Sequence, residues 1–134
     1  MPLSTHLVYF ENAVGRITEH THGYAVVRYH PGKRQAADFQ AFLTHLLQRR
    51  GWHKMLTDQR ALSPFTEPER TWIREQWLNP VPGGRDLVAA VLLPHDVFAR
   101  LATHLVMQDA REGALVYHIF EDKVAAAHWL RLAP

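Results

Sequence analysis

No cysteine occurs among the 134 residues. Disulfide staples, thiolate zinc sites, iron–sulfur ligation and cysteine nucleophiles are thereby excluded, and any chemistry must use other residues. Long uncharged apolar runs are missing as well. The opening Met1-Pro2-Leu3-Ser4-Thr5-His6 has neither a basic start nor an apolar stretch, so the sequence predicts no signal peptide, no membrane span and a cytoplasmic location. Excess charge is small, +2 with histidines neutral, and the sequence pI of about 9.2 overstates basicity. The densest basic cluster, Arg49, Arg50, His53 and Lys54, is broken by Gly51 and Trp52 and lacks aromatics spaced to stack bases. It reads as a solvated helix end, and no nucleic-acid partner is expected.

Several motifs of catalysis are absent too. Pro82-Gly83-Gly84-Arg85 leads into a strand, whereas a phosphate loop needs glycines leading into a helix. Ser63 lies in Leu-Ser-Pro, not in a Gly-x-Ser-x-Gly elbow, and Pro64 removes the N–H that an oxyanion hole would use. There is no His-Glu-x-x-His pair for a metal. His20 and His22, at i and i+2, project from one strand face, and His6 or His30 could join them. Without a carboxylate at ligand spacing, exposed histidines on a strand are the plainer reading. The sequence thus calls for no metal, no cofactor and no catalytic residue. A weaker enzymatic alternative would use Asp58 and His95 as base and acid, without a nucleophile to complete it.

What is present is ordinary globular composition, 47% hydrophobic and 21% charged, in a length at which folding buries roughly two-thirds of the chain's surface. One domain over 1–134 is expected. Leu7 to Phe10, Gly15 to Glu19 and Tyr24 to Tyr29 read as strands, with turn chemistry at 12–15 and a tight connection at His22-Gly23. Pro31-Gly32 ends the third. Phe39, Phe42, Leu43, Leu46 and Leu47 then recur at helical spacing between Arg34 and Arg50, and Lys54 to Asp58 returns to a strand. Thr66-Glu67-Pro68-Glu69 is a capping box opening a helix that must stop at Asn79-Pro80. Leu87 to Leu93, apolar throughout, predicts a central strand covered on both faces. Phe98, Leu101, Ala102, Leu105 and Val106 carry another helical period, Ala114 to Phe120 a last strand, and Asp122 caps a final helix packing through Val124, Ala125, Trp129 and Leu132.

The expected fold is therefore α/β: a leading antiparallel hairpin, then alternating helix and strand units with parallel strands, giving a mixed sheet covered by helices on both faces. Ligands meet such sheets beyond the carboxyl ends of the parallel strands. That rule selects Asp58, Arg60, Ser63, Phe65, Thr66 and His95, with Glu121 and Asp122 completing the rim. Each also has a structural role open to it. Asp58 and Arg60 can pair with each other, Thr66 can cap, and Phe65 can staple the helix start against Arg70 or Trp72.

Three segments together resemble a known family. These are Tyr9-Phe10-Glu11-Asn12, then Gly51-Trp52-His53-Lys54 running into Thr57-Asp58-Gln59-Arg60, and lastly Tyr117-His118-Ile119-Phe120-Glu121-Asp122 followed by Ala125-Ala126-Ala127-His128-Trp129-Leu130. In layout the chain is similar to the STAS-like domains of anti-sigma-factor antagonists and their bacterial, CRAL-TRIO-like relatives. The resemblance implies a non-enzymatic regulatory module in signal transduction that docks a protein partner. It also implies a switch by phosphorylation of Ser63 or Thr66 in the loop after the strand ending at Asp58. The family's Asp-Ser-Ser/Thr-Gly phosphosite is replaced here by Asp58-Gln59-Arg60. An alternative from another class is a small-molecule or lipid carrier with a cavity beneath the same rim. Tryptophans on helix 66–78 suggest apolar surface beyond core needs, which a homodimer would cover.

Overall fold

A computed structural model of the protein describes residues 6–48, 53–77, 87–110 and 115–133. The chain enters the sheet with β1, His6–Glu11, β2, Gly15–His20, and β3, Ala25–Tyr29, paired antiparallel in register Val8 to Thr18 and Ile17 to Val27. Short-range chemistry sets both turns. The Asn12 side chain accepts from Val14 N at 2.9 Å, an Asx turn. Gly23, at φ +86°, takes the left-handed conformation that closes the second turn, as its sequence position predicts. A bulge between Val8 and Phe10 bends the edge strand β1.

From β3 onward the chain alternates: α1, Ala36–Gln48; β4, Lys54–Asp58; α2, Glu67–Trp72, prolonged by a π-helical segment, Ile73–Trp77; β5, Leu87–Leu92; α3, Val97–Ala110; β6, Leu115–Phe120; and α4, Lys123–Leu132. The six strands lie in the order β1-β2-β3-β4-β5-β6, and every pair from β3 to β6 is parallel. Each crossover steps to the next strand in the same direction. Crossovers of one hand then leave α1, α2 and α3 on one face. There Val27, Tyr29, Met55, Ala89 and Val91 meet Phe39, Phe42, Ile73, Val106 and Met107. The opposite face, Tyr24, Val26, Leu56, Val88, Ala90 and Leu92, is closed by Ala126 and Leu130 of α4. β5 is buried on both faces, as its unbroken apolar run predicts.

Two helical periods turn most of their large apolar residues outward, where the sequence placed them on the packing side. On α4 the buried residues are Ala126 and Leu130, while Val124, Ala125 and Leu132 face solvent; of the expected stripe only Trp129 packs. On α3 the inward residues are Ala99, Thr103, Val106 and Met107; of the expected period Val106 packs, while Phe98, Leu101 and Leu105 point outward. Both helices carry apolar residues on two sides. Periodicity alone cannot choose between such faces, because either one offers an apolar arc to the sheet.

Gly15 shows how tight the first face is. A Cβ there would stand 2.4 Å from the Arg28 carbonyl oxygen and 3.0 Å from Cζ of Phe42. The oxygen belongs to the paired strand β3 and cannot swing aside. Gly15→Ala is expected to cost about 1–3 kcal/mol, read as a lower urea midpoint at unchanged m-value. A variant as stable as the parent would contradict this close approach.

Candidate functional site

The carboxyl ends of β3 to β6 bring together the loops that the sequence singled out. Hydrogen bonds between loops tie them: Gln59 N donates to Leu92 O at 3.1 Å, His95 N to Arg60 O at 3.1 Å, and Leu93 N to Phe120 O at 3.3 Å. Because the strand order never reverses, there is no switch-point crevice between helices of opposite faces. The site is a rim, not a cleft between layers.

At its centre Asp58 and Arg60 form a bidentate pair. Arg60 Nε donates to Oδ1 at 3.0 Å, Nη2 to Oδ2 at 2.9 Å, and the Arg60 backbone N to Oδ1 at 3.2 Å. The carboxylate is buried while about two-fifths of the guanidinium side chain stays in solvent. Burial alone would raise the Asp58 carboxyl. The hydrogen bonds from Arg60 and the positive charges of Arg60 and Lys123 outweigh it and hold the group below its ordinary value. Both carboxylate oxygens are thus committed to an arginine, which leaves Asp58 poorly suited to act as a base toward His95.

Two further rim carboxylates, both exposed, cap helices through one oxygen each. Asp96 Oδ2 accepts from Ala99 N at 2.8 Å and Asp122 Oδ2 from Ala125 N at 2.9 Å, each capping a helix. Arg100 Nε donates to Pro94 O at 2.7 Å, fixing the loop that carries the exposed His95. Its Nη1 stands 3.5 Å from the exposed Glu121. The exposed charges along this edge are mixed, with Arg60, Arg100 and Lys123 standing beside Asp96, Glu121 and Asp122.

Ser63, Phe65 and Thr66 occupy the β3 side of the same edge in mainly structural roles. Ser63 Oγ accepts from Gly32 N at 3.1 Å. Thr66 completes both arms of the predicted capping box: Glu69 N donates to its Oγ1 at 3.2 Å, and Thr66 N donates to Glu69 Oε1 at 2.8 Å. Phe65 is half-buried. Its ring meets Tyr29 and Phe39 edge-on, with the Arg34 guanidinium 5.5 Å from its centroid.

Arg34 escaped the sequence reading. Its side chain and that of Glu69 are only 4% and 9% exposed, joined by Nε to Oε2 at 2.7 Å and Nη2 to Oε1 at 2.8 Å. Nη2 also donates to Pro64 O at 2.9 Å. This pair ties the loop after β3 to the start of α2 and so holds Ser63 to Thr66 in place. The capping box announced Glu69, but its ionic partner stands 35 positions away in sequence, beyond any local signal.

Beneath the rim lies a cavity of about 40 Å³ bounded by Tyr29, Thr57, Gln59, Phe65, Met107 and neighbouring apolar residues. Thr103 Oγ1 donates to Gln59 Oε1 at 2.8 Å, while the buried Thr57 hydroxyl has no hydrogen-bond partner among the described residues. His20 and His22 sit at the end of the sheet away from the rim, with their Nδ1 atoms 3.2 Å apart and His20 stacked on Tyr24. Among the described residues no three metal-ligating side chains come together, and no helix is long and apolar enough to cross a membrane. The basic residues Arg49 and Arg50 and the Pro/Gly stretch at 80–84 lie outside the described residues. Comparison of the chain with protein-family models, with curated proteins and with solved structures finds no match.

Proposed function

We propose that this chain is a non-enzymatic, STAS-like regulatory module of the cytoplasm that docks an acidic segment of a protein partner on the rim around Arg60. The observation that carries this reading is the state of Arg60 itself. A buried carboxylate grips it through two side-chain bonds, yet much of its length remains in solvent. An arginine fixed in advance loses little rotamer freedom on binding, which is the economy that interface anchors exploit. Arg100 and Lys123 add positive charge nearby, while the exposed Asp96 and Asp122 each give one carboxylate oxygen to a helix cap. Ser63 and Thr66 serve as the control points. A phosphate on Ser63 would displace the Gly32 N–H, and one on Thr66 would displace the cap on α2, in each case adding nearly two negative charges to an edge that attracts acidic groups.

A carrier would need roughly 300–1,000 Å³ for a ligand of drug size, against the cavity of about 40 Å³ beneath the rim. Docking is therefore the better supported reading. It is tested by affinity capture with Arg60→Glu beside the parent protein, both confirmed folded by circular dichroism. The parent is expected to retain a partner whose binding weakens with added salt and which the variant loses by at least tenfold. A variant that keeps every partner at parent affinity would refute the assignment.

A further inference from the structure

We propose that the outward face of α3 is the interface of a homodimer. The helix carries only two charged residues, Arg100 and Asp109, in fourteen. Its inner side packs on the sheet through Ala99, Thr103, Val106 and Met107. Yet Val97, Phe98, Leu101 and Leu105 remain 67, 71, 59 and 41% exposed. At 3.6 residues per turn these four fall on one arc of about 100° spanning more than two turns. Arg100 lies off that arc, engaged with Pro94 and Glu121. A helix apolar on both sides belongs in an interior, and here the apolar residues of one side stay largely exposed.

Area and shape both favour a second copy of this chain. Burying a side chain of this class removes on the order of 100 Å² of apolar surface from water, so these exposures leave on the order of 250 Å² of apolar surface uncovered per protomer. A standard interface buries roughly 800 Å² per partner, a little over half of it apolar. The stripe supplies about half of that apolar share, with His104 and Gln108 as polar neighbours. Val97, Leu101 and Leu105 form a ridge at i, i+4 and i+8. Such ridges interdigitate with their own kind at a crossing angle of about −50°. A two-fold axis near Leu101 would set Val97 of one copy beside Leu105 of the other, burying the same patch twice. The stripe carries no charge with which to select a different, charged partner. The inference rests on α3 alone, so it stands or falls separately from docking at Arg60.

Sedimentation of the full chain over a concentration series tests it. The parent is expected to approach twice the monomer mass. Leu101→Glu, at an exposed position that folding does not need, should weaken association at least tenfold, whereas Val124→Glu on the exposed side of α4 should leave it unchanged. The absence of cysteine gives a second readout: Leu101→Cys should form a disulfide-linked dimer on oxidation and Leu132→Cys should not. A parent that stays monomeric at its highest soluble concentration overturns the proposal, as does a Leu101→Glu protein that associates as tightly as the parent.

Discussion

Glu69→Ala is expected to lower the unfolding free energy by about 3–5 kcal/mol, because it strands the buried Arg34 guanidinium without its counter-charge. A domain of this size holds only about 5–15 kcal/mol in total, so the variant should unfold at a much lower urea concentration. Among the described residues Arg34 would keep the Pro64 carbonyl as its hydrogen-bond acceptor, and its Nη1 already has none. Arg16→Ala, which breaks the exposed pair with Glu11, serves as a contrast and should scarcely move the midpoint. Equal effects from the two substitutions would show that the buried pair has no special weight.

The same pair sets an acid limit. Burial would raise the Glu69 carboxyl, but the hydrogen bonds from Arg34 and from the Thr66 backbone hold it below its ordinary value, and Asp58 is held down likewise by Arg60. A carboxyl whose folded value is depressed releases its proton more readily folded than unfolded. Its contribution is complete above the unfolded values near ~4 and is lost as pH falls from there toward the folded values. Stability measured from neutral pH downward should stay flat and then drop below about pH 5. In Glu69→Ala that drop should be shallower.

Phe42→Ala is the second large loss, about 3–5 kcal/mol. The ring is fully buried between Phe10 and Tyr29 at centroid distances of 6.3 and 5.6 Å, and its Cζ rests against Gly15. Removing it opens a hole that Gly15, without a side chain, cannot fill. The cost should therefore fall toward the upper end of that range. A loss below about 1 kcal/mol, within the range of a surface change, would mean that α1 does not seat on β2 and β3 as described.

Elements that announce themselves locally were legible from residues alone. The Thr66 capping box, the Asp122 cap, the Gly23 turn and the doubly buried β5 all depend on neighbours a few positions away, and each is found where its pattern lies. The mixed sheet with its antiparallel start followed from the order of those elements. Features decided by tertiary partners were not legible. The sheet packs against Ala99, Thr103, Val106 and Met107 of α3 and Ala126 and Leu130 of α4, which exposes Phe98 and Val124 against the simplest reading of their periods. The partner of Glu69 lay far off in the chain. The sequence also placed Ser63, Phe65 and Thr66 at the rim without revealing that their side chains are largely engaged in holding the loop, whereas Arg60 projects.

Hydrogen exchange on the protein with and without its captured partner tests the docking account most directly. Slowed exchange of amides between Asp58 and Thr66 and around His95, with the amino ends of β4 and β5 unchanged, is the expected result. Protection confined to the His20–Tyr24 turn and the starts of those strands, with the Arg60 loop unaffected, would contradict it.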